Sequence, residues 1–191
     1  MNLLLGLRCL SGDASELTGD RVNAEGEDFA RFVDLRQRAL LRSAWLLTGD
    51  WALAEDLVQT ALARTWLRWE RIIRRDDPEI YVRRVLVSTW INWSRRKWRG
   101  ERTAIELPDG PAPGDLEAEA IARVAVRGAL GSLTSRQRAV LVLRVFDDLT
   151  EAQTAQVLGC AVGTVKSTMS QALTRLREDR RLADLPEREK R

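Results

Sequence analysis

The stretch Leu149–Arg177, LTEAQTAQVLGCAVGTVKSTMSQALTRLR, constrains the fold of this chain more tightly than any other. Apolar residues recur at helical spacing on both sides of Gly159-Cys160-Ala161, so the stretch reads as two short helices around a tight turn. Thr150, with Gln153 three residues on, forms a capping box that starts the first helix. Gly159 can take the positive φ needed to leave that helix, and the small Cys160 and Ala161 let the helices approach closely. Ala152, Ala155, Val157 and Leu158 fall on the inner side of the first helix, and Val165, Met169, Ala172, Leu173 and Leu176 on that of the second. Thr164, Lys166, Ser167, Ser170 and Gln171 then face outward. This pattern is a helix-turn-helix, which lays its second helix in the DNA major groove. Lysine can meet guanine or phosphate, serine and threonine can bond bases or phosphates, and glutamine can pair with adenine. An ordinary helical hairpin with a solvated polar face leaves the agreement of turn, caps and polar face unexplained.

The remaining pattern is helical too. From Glu27, the residues Phe29, Phe32, Val33, Leu40, Ala44 and Leu47 recur at helical spacing. Gly49-Asp50 punctuates the chain, with Asp50 as N-cap of a second helix carrying Leu53, Leu57, Ala61, Thr65 and Trp66 near one face. Asp77 and Pro78 mark the next start, as cap and first helical residue. That helix runs to about Trp98, with Val82, Val85, Leu86, Thr89 and Trp93 apolar. Residues 103–116 hold three of the five prolines and no basic residue, which is the composition of a flexible acidic linker. Helical signals resume near Leu116, and Ser132 or Thr134-Ser135 caps a helix from Arg136 to Phe146, broken by Asp147-Asp148. No alternating strand pattern appears. The expected fold is all-α: two small helical domains over 27–102 and 121–182, joined by a linker at 103–120. Residues 1–26 are expected to form a disordered extension, and 183–191 a charged tail.

Composition excludes several function classes. Histidine is absent and only Cys9 and Cys160 are present, so a Cys/His zinc site cannot be assembled within one chain, and histidine-dependent acid–base chemistry is ruled out. No catalytic residue, metal or other cofactor is expected. Two distant cysteines without a secretory context fit a reducing cytoplasm. The opening MNLLLGLRCL is too short to span a membrane and lacks a basic n-region, and Arg8 before Cys9 fits poorly with lipoprotein processing. It reads as a frayed extension, with no stable membrane insertion. The net charge of +3 does not by itself indicate nucleic acid; the distribution of charge is more informative.

The segment Tyr81–Arg102 interleaves Arg83, Arg84, Arg95, Arg96, Lys97, Arg99 and Arg102 with Trp90, Trp93 and Trp98. Cations can hold a phosphate backbone while aromatic rings stack on unpaired bases, so this helix suits single-stranded or melting DNA. Each tryptophan taken singly reads better as core. Arg95–Arg99 as a group reads better as a nucleic-acid contact.

Three strings together resemble a bacterial RNA polymerase sigma factor of the extracytoplasmic function class: LLRSAWLLTGDWALAEDLVQTALARTWLRW, DPEIYVRRVLVSTWINWSRR and LTSRQRAVLVLRVFDDLTEAQTAQVLGCAVGTVKSTMSQALTRLRE. They cover roughly 27–100 and 124–180 and look most like the actinobacterial SigE-like branch. The resemblance implies a first domain that binds the polymerase clamp coiled coil and opens the −10 element, and a second that binds the β flap and reads the −35 element. It places Asp56, Leu57, Val58 and Gln59 in the clamp-binding helix. It places Ser88, Asn92 and Trp93 on the −10 surface, followed by Arg95, Arg96, Lys97 and Arg99 in the segment that holds a flipped base. Thr164, Lys166, Ser167, Ser170, Gln171 and Arg175 fall on the −35 recognition helix. The family commonly has Asn where Ser88 stands, Asp or a small polar residue where Asn92 stands, and often Arg where Thr168 and Gln171 stand. These departures imply an altered −10 preference and fewer phosphate anchors at −35.

The implied function is a non-enzymatic, cytoplasmic factor that joins core RNA polymerase, directs it to promoter DNA and helps melt the −10 element. An anti-sigma factor is a further partner common in the family. A dimeric helix-turn-helix regulator acting without polymerase predicts palindromic sites, and it leaves the basic tryptophan helix and acidic linker without a role. A serine recombinase needs an α/β catalytic domain, and the N-terminal half shows no strand pattern.

Overall fold

The computed structural model describes residues 16–98 and 126–179, with side chains over 25–96 and 126–179. All regular structure among the described residues is helical: α1 (Glu16–Thr48), α2 (Trp51–Trp66), α3 (Trp69–Arg75), α4 (Pro78–Trp98), α5 (126–132), α6 (Ser135–Leu141), α7 (Glu151–Leu158) and α8 (Val162–Arg177). The chain divides into two compact units, residues 1–35 and 36–191. The linker at 103–120 and the tail at 183–191 lie outside the described residues, as do residues 1–15.

Helix α1 begins at Glu16, whereas the sequence pattern placed residues 1–26 in a disordered extension. The physical reason is cooperativity. Once residues 27–48 supply a nucleus, each further turn costs only propagation, so the helix runs back through Gly19 and Gly26 despite their low propensity. In the smaller unit, Phe29 is buried and stacks on Phe32, ring centroids 6.4 Å apart.

In the larger unit the caps lie where the sequence puts them. Asp50 accepts from the Leu53 N–H at 2.8 Å, Asp77 from the Glu79 N–H at 2.8 Å, and Thr134 and Thr150 each close a capping box with Gln137 and Gln153. Helix α2 turns Ala54, Leu57, Val58, Ala61, Leu62 and Thr65 inward against α4, whose Val82, Leu86, Val87, Thr89 and Trp90 are buried. Leu53, assigned to this face by spacing, is exposed and Ala54 takes its place. Leu57 and Leu86 are nearly inaccessible, and burying a side chain of this size stabilises by roughly 1.5–3 kcal/mol.

After α6 the backbone opens into a π-helical turn over Val142–Phe146, with the Asp147 N–H donating to the Val142 carbonyl at 3.1 Å. The extra residue rotates the next stretch of chain by about 100° relative to an α-helix. Val145 and Phe146 are left exposed while the Asp147 side chain turns into the interior. Asp148 comes next with φ 52°, in the left-handed region that aspartate tolerates better than most residues. No helix among the described residues is long and apolar enough to cross a membrane.

Candidate nucleic-acid interface

Helices α7 and α8 meet around a small core of Val140, Ala155 and Val165, against which Leu158, Cys160 and Met169 pack. Gly159 ends α7 at φ 61°, and its N–H and that of Cys160 both return to the Ala155 carbonyl. A Cβ at Gly159 would meet no atom, so the constraint here is the backbone angle, not space. Of the inner residues read from spacing, Ala155, Val157, Val165 and Ala172 are buried, whereas Ala152 is exposed and Thr154 is buried in its stead. A helix this short shows barely two turns, so spacing alone leaves its inner face uncertain by about one residue.

Lys166, Ser167, Ser170, Gln171 and Arg175 are exposed along α8, and Thr164 is half-buried. Thr168, within the same surface stretch, is buried. Lys166 pairs with Glu151 of α7, Nζ to Oε2 at 3.5 Å, and Arg175 donates to Gln137 Oε1 at 3.3 Å. The Ser167 hydroxyl donates to the Thr164 carbonyl, leaving its lone pairs to accept. The N-cap of α8 is Ala161, which offers no side-chain acceptor to the first-turn N–H groups, although the Thr164 N–H donates to the Ala161 carbonyl at 3.0 Å. The result is a polar face carrying Lys166 and Arg175 among several short hydroxyl and amide groups, the chemistry of base and phosphate readout.

On α4, Ser88, Asn92, Arg95 and Arg96 are exposed and Trp93 is half-buried. The Lys97 side chain and Arg99 lie outside the described residues. Trp90 is buried, as its core reading requires. Arg83 needs correction: grouped by sequence with the nucleic-acid cations, it is 5% exposed. Its guanidinium reaches Glu79 on its own helix at 2.9 Å and Asp147 at 2.5 Å. Nothing in the local sequence pairs Arg83 with Asp147; only the Glu79–Arg83 spacing hints that this arginine is engaged.

On α2, Asp56 and Gln59 are exposed, but Leu57 and Val58 are buried in the helical core. The last two therefore cannot offer side chains to a partner, contrary to the sequence-based expectation. Their apolar groups belong against α4, and only Asp56 and Gln59 remain as an outer surface.

Two family profiles match in order along the chain: "Sigma-70 region 2" over residues 32–100 and "Sigma-70, region 4" over 123–176. The RNA polymerase sigma-E factor of Streptomyces coelicolor is 42% identical over 84% of this chain and 90% of its own length. This chain belongs to the extracytoplasmic function sigma factors of the sigma-70 family. The SigL factor of Mycobacterium tuberculosis is 33% identical over 81% of the chain and 89% of its own length. Among solved structures, the sigma factor RpoE in complex with the anti-sigma factor NepR from Bartonella quintana superposes with a TM-score of 0.65. It shares 26% identity, covering 83% of this chain and 98% of that one. In this sigma factor, α2 and α4 fall within the region 2 match, and α6, α7 and all but the last residue of α8 within the region 4 match.

Proposed function

We propose that the chain joins core RNA polymerase as its specificity subunit and directs initiation at promoters bearing −35 and −10 elements. Two separate exposed polar helix faces support this reading, that of α4 inside the region 2 match and that of α8 at the region 4 match. Lys166, Ser167, Ser170 and Gln171 read the −35 element, with Thr164 and Arg175 beside them. Ser88, Asn92 and Trp93 meet the −10 element, and the basic run from Arg95 to Arg99 holds the melted strand. Asp56 and Gln59 bind the polymerase clamp coiled coil, and the region 4 module engages the β flap. Two-point attachment to polymerase presents both readers at a high effective concentration, so promoter opening needs no catalytic group from this chain. The factor acts in the cytoplasm, where core polymerase is, and an anti-sigma protein is a fitting regulator, since RpoE of Bartonella quintana is held by NepR.

Gel filtration with core polymerase at mild salt tests this reading. Co-elution is expected; separate elution contradicts it. A promoter-binding dimer that ignores polymerase is the outcome a classical regulator would give.

A further inference from the structure

Helix α8 carries three cations, Lys166, Arg175 and Arg177, and no acidic residue. Helix α7 carries one charged residue, Glu151 in its first turn. The single acid of α7 reaches across to the single lysine of α8, with Oε2 3.5 Å from Nζ. Thr150 and Gln153 close a capping box around Glu151, so the backbone that presents the carboxylate is fixed. Glu151 is 40% and Lys166 64% exposed, so the pair stands on the surface and takes no part in the core. The cation is also an uncommon one in this chain. Only three of its 31 basic residues are lysines, Lys97, Lys166 and Lys190, and all the others are arginines. Lysine puts a compact charge on a flexible stem, which can swing between neighbouring acceptors unless something holds it.

An exposed ion pair of this kind contributes little to folding, so its consequence lies in what Lys166 can bind. On the −35 reading, two kinds of DNA acceptor compete for the ammonium. Phosphate oxygens are the same at every sequence, whereas the O6 and N7 of guanine mark one base. The Glu151 carboxylate treats the two differently. An ammonium has three N–H donors, so Lys166 can keep its pair with Glu151 and still donate to a neutral guanine edge. A phosphate brings a negative charge up to Glu151, and like charges so placed repel. The first helix of a helix-turn-helix crosses the DNA backbone, and Glu151 lies at the start of that helix. Glu151 therefore takes, on Lys166, the place that a phosphate oxygen would fill.

We propose that Glu151 is a specificity residue of the α8 surface. Its carboxylate holds Lys166 off the phosphate backbone and leaves it to a guanine edge in the major groove. Glu151 acts through Lys166 and is a positioning residue. The proposal rests on the −35 reading of α8 and adds to it a residue of α7. It lowers affinity for arbitrary DNA more than for the chosen element, so discrimination rises while overall affinity falls.

The test uses the full-length chain and two duplexes of equal length, one carrying the −35 element obtained by run-off transcription and one with that sequence scrambled. Fluorescence anisotropy reads binding by wild type, Glu151→Gln, Lys166→Ala and the double variant between about 50 and about 200 mM salt. Glu151→Gln should bind the scrambled duplex about two- to fivefold more tightly at the lower salt, the scale of an exposed ion pair. Its logarithmic salt slope should steepen by about 0.9, as one additional phosphate contact requires. The −35 duplex should gain less, so the ratio of the two affinities falls. In the Lys166→Ala background, the same substitution should change neither the scrambled affinity nor the slope. Scrambled binding and slope unaltered in Glu151→Gln overturn the proposal. So does an equal gain without Lys166, which would reflect general charge repulsion. A carboxylate in the first turn also stabilises a helix. If that were its whole role, Glu151→Gln would weaken binding to both duplexes and lower the thermal midpoint, and this result too overturns the proposal. Failure of the −35 reading looks different: wild type then shows no preference for the −35 duplex, Lys166→Ala affects both duplexes alike, and the proposal falls with it.

Discussion

The side chain of Thr154 is fully buried, and its hydroxyl finds no hydrogen-bond partner among the described residues. An unsatisfied buried hydroxyl costs roughly 1–3 kcal/mol, and valine has nearly the same shape without it. Thr154→Val is therefore expected to stabilise the fold by about 1 kcal/mol, seen as a higher midpoint in urea with an unchanged slope. A second residue-scale expectation concerns Asp147. Burial pushes its carboxyl above the ordinary range, against the opposing pull of Arg83 and the Ser43 hydrogen bond. A raised folded-state value means the folded state holds the proton more tightly than the unfolded chain does. This contribution to stability is full below about pH 3.9 and is lost as pH rises through the raised value. Wild type should accordingly lose stability relative to Asp147→Asn as pH is raised from about 4 to about 7. Wild type gaining stability relative to Asp147→Asn over that range would mean that the Arg83 attraction outweighs burial. Single residues were legible in the sequence where their work is local. Asp50, Asp77, Thr134 and Thr150 cap helices through neighbours three residues away or fewer. Arg83 and Asp147 were not, because their pairing is made only by tertiary packing and no short-range pattern encodes it.

At the scale of elements, helix type and order could be read from periodicity, while inner faces and ends could not. Short α7 hides whether Ala152 or Thr154 is buried, and α1 extends past its expected start because propagation is cheap. The π-helical turn after α6 left no sequence mark, yet it exposes Val145 and Phe146 and turns Asp147 inward. Helix α8 is the best-read element, since its outer residues can be read from its long, regular apolar face. Lys166→Ala with Gln171→Ala should lower −35-dependent transcription about tenfold, the scale of a lost base contact of roughly 1–3 kcal/mol. Binding to core polymerase should be unaffected; an equal loss there would show that α8 faces the enzyme instead. Helix α2 predicts the reverse. Asp56 is exposed beside the buried Leu57 and Val58, so Asp56→Arg changes the outer surface without touching the core. Polymerase affinity should fall about tenfold or more through like-charge juxtaposition, with binding to isolated −35 DNA retained. Normal polymerase affinity in Asp56→Arg would remove α2 from the clamp contact.

For the whole molecule, the decisive property is that two helices proposed to face DNA sit on one chain. The helix-turn-helix alone implies DNA without specifying the consequence of binding it. The region 2 and region 4 matches, in order, turn that motif into one half of a two-point reader. Packing of these halves into one compact unit was not legible, because the linker composition indicated independence and the contacts that join them lie far apart in sequence. Run-off transcription with core polymerase over a genomic promoter library tests the central claim most directly. With the chain added, discrete start sites should appear that share a −35 and a −10 element at a fixed spacing. If the folded chain produces no start sites beyond those of core polymerase alone, the assignment as a promoter-specificity factor is contradicted.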